Sequence, residues 1–99
     1  MRITPAQSKI IHETVAAMFG PGACVRLFGS RLDEAARGGD IDLFVETNQR
    51  IANRAAMASR LAAQLQITLG DQRIDVILVD PETRPQPIHA QVRHHGVPL

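Results

Sequence analysis

Two aspartates stand two residues apart at the head of an apolar run, Asp40-Ile41-Asp42-Leu43-Phe44-Val45. Branched and aromatic residues dominate the run, so it reads as a strand over 40–46, and side chains alternate from face to face along an extended chain. Asp40, Asp42 and Phe44 then share one face. Ile41, Leu43 and Val45 share the other, which belongs to the core. A sheet that holds this strand has to cover one face with helices while the opposite face carries two neighbouring negative charges.

The flanking segments supply those helices. Thr4-Pro5-Ala6-Gln7 opens the first, with Thr4 as N-cap, Pro5 at the first helical position and Gln7 completing a capping box. Ile10, Ile11, Val15, Met18 and Phe19 recur at helical spacing until Gly20-Pro21-Gly22 stops the helix. Residues 24–28 read as a short buried strand broken by Gly29-Ser30. Cys24, the single cysteine, is expected there as a core thiol, and one cysteine excludes an intrachain disulfide framework. Residues 31–37 favour a short helix or ordered loop ending at Gly38-Gly39. Thr47 or Asn48 caps a longer helix expected over about 49–66, with Ile51, Ala55, Ala58, Leu61, Ala62 and Leu65 on its apolar face and Arg50 and Arg54 outside. A third strand runs over 73–79, with Asp75 among Ile74, Val76, Ile77, Leu78 and Val79, and Asp80-Pro81 ends it. The stretch 81–87 is too rich in proline for regular structure, and 88–95 forms a last turn or two of helix before Gly96. The order predicts an α/β or α+β domain, a small mixed sheet of about three strands flanked by helices.

Ninety-nine residues suffice for one domain, 1–99, whose part from 81 onward is a proline-rich segment and tail. No apolar run approaches the roughly 20 residues of a membrane-spanning helix, and no secretory signal is visible at the N-terminus, so a cytoplasmic location is expected. A formal charge of +1 is too small for an extended nucleic-acid surface, and a nucleotide is the more fitting ligand. His12, His89, His94 and His95 form no metal pattern: adjacent histidines on a helix point about 100° apart, and a solvated or partner-facing tail is expected. A small domain leaves apolar surface and strand edges to cover, which implies a homo-oligomer or a heteromeric complex. Val97-Pro98-Leu99 is a candidate contact for it.

The chemistry concentrates in four places. Like charges held together near a core disfavour ionisation, and desolvation adds to the cost. A divalent cation removes the conflict at Asp40 and Asp42, and hard oxygen ligands select magnesium or a similar ion. Asp75 is a third carboxylate in an apolar strand; it serves the same site, caps a loop, or pairs with Arg26 or Arg73. Gly29-Ser30 between a strand and a helix start offers backbone N–H groups, a hydroxyl and a helix dipole to phosphates, although Gly-Ser is also an ordinary turn. Arg31 either contacts a triphosphate or is a solvated first-turn arginine.

Gly29-Ser30-Arg31, followed by Gly39-Asp40-Ile41-Asp42-Leu43 and a later Asp75 on a strand, resembles the minimal nucleotidyltransferases of the DNA polymerase beta superfamily. The local text is similar to that of the small MNT proteins encoded beside HEPN ribonuclease toxins. The resemblance implies the polymerase beta-like fold, with Gly29 and Ser30 on the nucleotide phosphates, Asp40, Asp42 and Asp75 holding magnesium, and Asp75 helping to deprotonate the attacking hydroxyl. It further implies transfer of AMP from ATP to a tyrosine of a HEPN toxin, with this chain as antitoxin. A binding antitoxin without chemistry and a nucleotidyltransferase acting on a small molecule are the alternatives. Such a transfer needs little covalent work from a protein: catalysis is positioning and neutralisation of phosphate charge, for which two metal ions roughly 3.5–4 Å apart suffice.

Overall fold

The hydrophobic period switches between about 3.6 and 2 along the chain, which divides it into helices and strands. The computed structural model describes residues 3–29, 40–70 and 72–99. Its elements are α1 (Pro5–Phe19), β1 (Cys24–Phe28), β2 (Ile41–Glu46), α2 (Arg54–Leu69), β3 (Ile74–Val79), α3 (Pro87–His95) and β4 (Val97–Pro98). The sheet runs in the order β3-β2-β1-β4. β1 is antiparallel to both β2 and β4, and β2 is parallel to β3, a pairing that requires the crossover provided by α2.

α1 starts as its sequence dictates. The Thr4 hydroxyl accepts from the Gln7 N–H at 3.1 Å and the Gln7 side chain accepts from the Thr4 N–H at 2.9 Å. Gly20, at φ 91°, closes it. Ile11, Val15 and Phe19 of α1 and Leu61 and Leu65 of α2 bury against Val25, Leu27, Ile41, Leu43, Val45, Ile74 and Leu78 on one face of the sheet. Each such side chain contributes about 1.5–3 kcal/mol relative to an exposed one.

The second face has a smaller core of its own. Phe44, Val79 and Val92 bury together with Phe28 and Ile77 packed against them, so α3 lies over the face that also carries Asp42. Phe44 is therefore a core residue on the polar side of its strand. His89 is buried there too, its ring 5.7 Å from that of Phe44 and its Nδ1 accepting from the Gln86 N–H at 3.3 Å. It is not part of a solvated tail. Arg93 reaches across to Glu46 at 2.9 Å and lies 5.6 Å from the Phe44 ring centroid.

Three further expectations are corrected. The sheet has four strands among the described residues, because 97–98 pairs with β1 and the Leu99 N–H donates to the Val25 carbonyl at 3.0 Å. That tail is an integral strand, its apolar residues covering the edge of β1. α2 begins at Arg54 rather than near 49, because the backbone before it is held elsewhere. The Gln49 N–H donates to the Thr47 hydroxyl, the Ile51 N–H to the Asp80 carboxylate at 2.8 Å, and Asn53 provides the cap by accepting from the Ala56 N–H. Cys24 is exposed, since it falls on the face opposite α1 and α2, paired with Glu46 at the far end of β1. Residues 31–37, with the helix or loop expected there, lie outside the described residues. No helix among the described residues is long and apolar enough to cross a membrane.

Candidate active site

Strand register assembles the site. β2 and β3 are parallel with Asp42 opposite Asp75, so two carboxylates separated by 33 positions in sequence become direct cross-strand neighbours on the face away from α1 and α2. Asp40 lies just ahead of β2. Two of the three carboxylates are open to solvent, the Asp40 and Asp75 side chains being 41% and 48% exposed. The Arg73 guanidinium stands between these two, with Nε 3.7 Å from Asp40 Oδ2 and 3.5 Å from Asp75 Oδ1. At such exposure each pair contributes about 0–1 kcal/mol, so Arg73 is a loosely held counter-charge. Of the pairings open to Asp75, the one with Arg73 forms; Arg26 pairs instead with Glu46 at 2.8 Å.

Asp42 feels the charge excess. Burial raises its pKa above the ordinary carboxylate range, the carboxylates of Asp75 and Asp40 push it the same way, and Arg73 opposes them. Among the described residues, one positive charge, that of Arg73, is set against three carboxylates.

The end of β1 forms the other wall. Phe28 is the antiparallel partner of Asp42, which brings Gly29 alongside that carboxylate. Gly29 has φ 78°, in the left-handed region, and a Cβ there would overlap Asp42 Oδ2. Glycine is required twice over, for its backbone conformation and for the close approach. Ser30 and Arg31, the other two expected phosphate contacts, lie outside the described residues.

Carboxylate oxygens with charge to be neutralised are the donor type that a hard divalent cation takes. Among the described residues no three His, Cys, Asp or Glu side chains converge into a closed ligand cluster, and Arg73 supplies the positive charge beside Asp40 and Asp75. Asp40, just ahead of β2, Asp42 on β2 and Asp75 on β3 are the carboxylates on this face that an ion would have to draw together.

Sequence reasoning did not find the role of Asp80. It is buried at the end of β3 and accepts from the Ile51 N–H, Arg54 Nη1 at 3.1 Å, the Glu82 N–H at 3.0 Å and the Thr83 hydroxyl at 3.0 Å. The Ile51 N–H above all, with the Thr83 hydroxyl, the Glu82 N–H and the Arg54 charge, holds its pKa below the ordinary range against the effect of burial. Its job is structural, tying the start of α2 to the end of β3. The signal was the acid itself, since a strand-ending Asp before Pro is a natural acceptor for turn N–H groups. A cleft of about 240 Å³ between α3 and the end of β1 was also not foreseen.

No family model and no curated protein matches the chain. Among solved structures it is similar to the tri-AMPylated Shewanella oneidensis HEPN toxin in complex with MNT antitoxin, at 26% identity and TM-score 0.65, over 94% of this chain and 68% of that one. It is also similar to a toxin-antitoxin MntA-HpeT mutant carrying two Asp-to-Glu changes, at 27% identity and TM-score 0.63, over 93% of this chain and 70% of that one. The fold of this chain, three helices on a mixed four-stranded sheet among the described residues, is therefore similar to the MNT-type nucleotidyltransferase fold of these antitoxins.

Proposed function

We propose that this chain is an antitoxin that transfers AMP from ATP, with magnesium, to a hydroxyl of a partner HEPN toxin, a tyrosine being the acceptor. The observation that carries this reading is the cross-strand pair Asp42 and Asp75 beside the left-handed Gly29, on a fold shared with an MNT antitoxin found with a tri-AMPylated toxin. The acceptor oxygen attacks the α-phosphorus of ATP, the bond from that phosphorus to the β-phosphate oxygen breaks, and pyrophosphate leaves with the electron pair. The proton of the hydroxyl passes to the carboxylate of Asp75. Gly29 lets the backbone approach the phosphates, and Ser30 and Arg31 are proposed to complete that contact. Asp40, Asp42 and Asp75 would hold magnesium, which when bound supplies charge neutralisation on the transferred and leaving groups.

A second reading is favoured by Arg73, which already places a cation beside Asp40 and Asp75. In that reading the chain neutralises its toxin by binding alone. Replacing Asp40 and Asp42 by Asn separates the two. Cells that express the toxin should lose protection with the double variant although the two proteins still copurify. Full protection by the double variant would establish the binding reading instead.

A further inference from the structure

We infer that the cleft between α3 and the end of β1 is the subsite for the adenine base of the donor nucleotide; this rests on the nucleotidyl-transfer reading above. The cleft is lined by Phe28, Gly29, Ile88, Gln91, Val92 and His95 and measures about 240 Å³. Pockets for whole drug-sized ligands run from about 300 to 1,000 Å³, so this one suits a base rather than a complete nucleotide.

Its position ties it to the carboxylates. Gly29 lines the cleft and also abuts Asp42, so a molecule whose phosphates lie along the Gly29 backbone at the carboxylates has the cleft as the adjacent enclosed space for its other end. A second cavity, on the other side of the carboxylates, does not reach that glycine. The cavity on the far side of Asp75 is bounded by α2 alanines and lacks an aromatic group.

The lining has the composition a base needs. Phe28 offers a ring, and bases stack on aromatic side chains whatever their sequence. Ile88 and Val92 supply apolar walls. Ile88 is 38% exposed, one of two large hydrophobic side chains left open to solvent among the described residues, and a stacked base would cover it. Gln91 and His95 fall one turn apart on the same face of α3 as Ile88, which puts polar groups at the rim of an otherwise apolar cleft. A glutamine amide carries a donor and an acceptor side by side, the pattern that pairs with the amino group and ring nitrogen of adenine. Guanine presents two acceptors on the corresponding edge and matches it less well. Gln91 is therefore assigned as the residue that reads the base, and Phe28 as the stacking platform.

The test is equilibrium binding of ATP, GTP, CTP and inorganic tripolyphosphate to the whole chain with magnesium, for the wild type, Gln91→Ala and Ile88→Trp. Both substituted residues are on the exposed side of α3, and thermal melting checks that the variants fold. Wild type should hold ATP more tightly than GTP, CTP or tripolyphosphate. Gln91→Ala should weaken ATP about three- to tenfold and flatten the preference over GTP, with tripolyphosphate unchanged. Ile88→Trp, which fills the cleft, should bring ATP down to the tripolyphosphate level. Equal binding of ATP and tripolyphosphate by the wild type, or a base preference untouched by either variant, would overturn the assignment and leave phosphate binding at Gly29 standing. Blocked modification of the partner by Ile88→Trp with ATP binding intact would also overturn it, giving the cleft to the acceptor side chain. Failure of the wild type to bind either ATP or tripolyphosphate would remove the nucleotidyl-transfer reading itself, and the subsite with it.

Discussion

Gly29 and Asp42 constrain each other at the mouth of the site. The left-handed backbone at φ 78° and the overlap any Cβ would make with Asp42 Oδ2 leave no room for a side chain. Gly29→Ala should destabilise the fold by about 1–3 kcal/mol, read as a lower urea midpoint, and should displace Asp42. A midpoint equal to wild type would contradict the packing described. Asp42 itself opposes folding when ionised. A carboxyl whose pKa is raised in the folded state binds its proton more tightly there than in the unfolded chain, so its contribution is favourable in acid and is lost as pH rises through the folded value. Asp42→Asn should therefore raise the melting temperature at pH 7, with the gain shrinking as pH falls through the carboxylate range. A lower melting temperature at pH 7 would show that the carboxylate is stabilising. Asp80 has the opposite sign: its lowered pKa makes its ionised form favourable to folding, and that contribution is lost only as pH falls through its depressed value.

At the scale of elements, local signals and distant contacts divide the chain between them. α1 was legible in full, since its capping box, proline and apolar stripe all lie within the helix they define. β1 was legible to the residue, and β2 and β3 to within one position at their starts, because a run of apolar β-formers bounded by Gly, Asp or Pro marks its own ends. The start of α2 was not, because Asp80, 29 positions after Ile51, captures the backbone that local propensity assigned to the helix. β4 was hidden for a similar reason: two residues have no period, and only the waiting edge of β1 makes them a strand. Of the site, Asp40, Asp42, Asp75 and Gly29 were visible as residue types in unusual places. The resemblance implied one shared site, but that Asp42 stands directly opposite Asp75 was not legible, for the register is a property of the sheet. Removing residues 97–99 should lower stability by about 1–3 kcal/mol through the lost pairing with β1, measured by thermal melting. Unchanged melting combined with weakened assembly on size-exclusion chromatography would return the tail to the role of a partner contact.

The whole molecule is asymmetric about its sheet. Among the described residues one face is closed by α1 and α2, while α3 closes part of the other, over Phe44 and Val79, and does not cover Asp42 and Asp75. On that side the Asp40 and Asp75 carboxylates are open to solvent, and no described element stands over them. An acceptor carried on another protein fits this geometry. The most direct measurement is intact-mass spectrometry of the partner HEPN toxin after incubation with this chain, ATP and magnesium, beside an Asp42→Asn, Asp75→Asn control. The account predicts mass gains in whole AMP units that disappear in the control. A toxin of unchanged mass in a stable complex with the wild-type chain would contradict it.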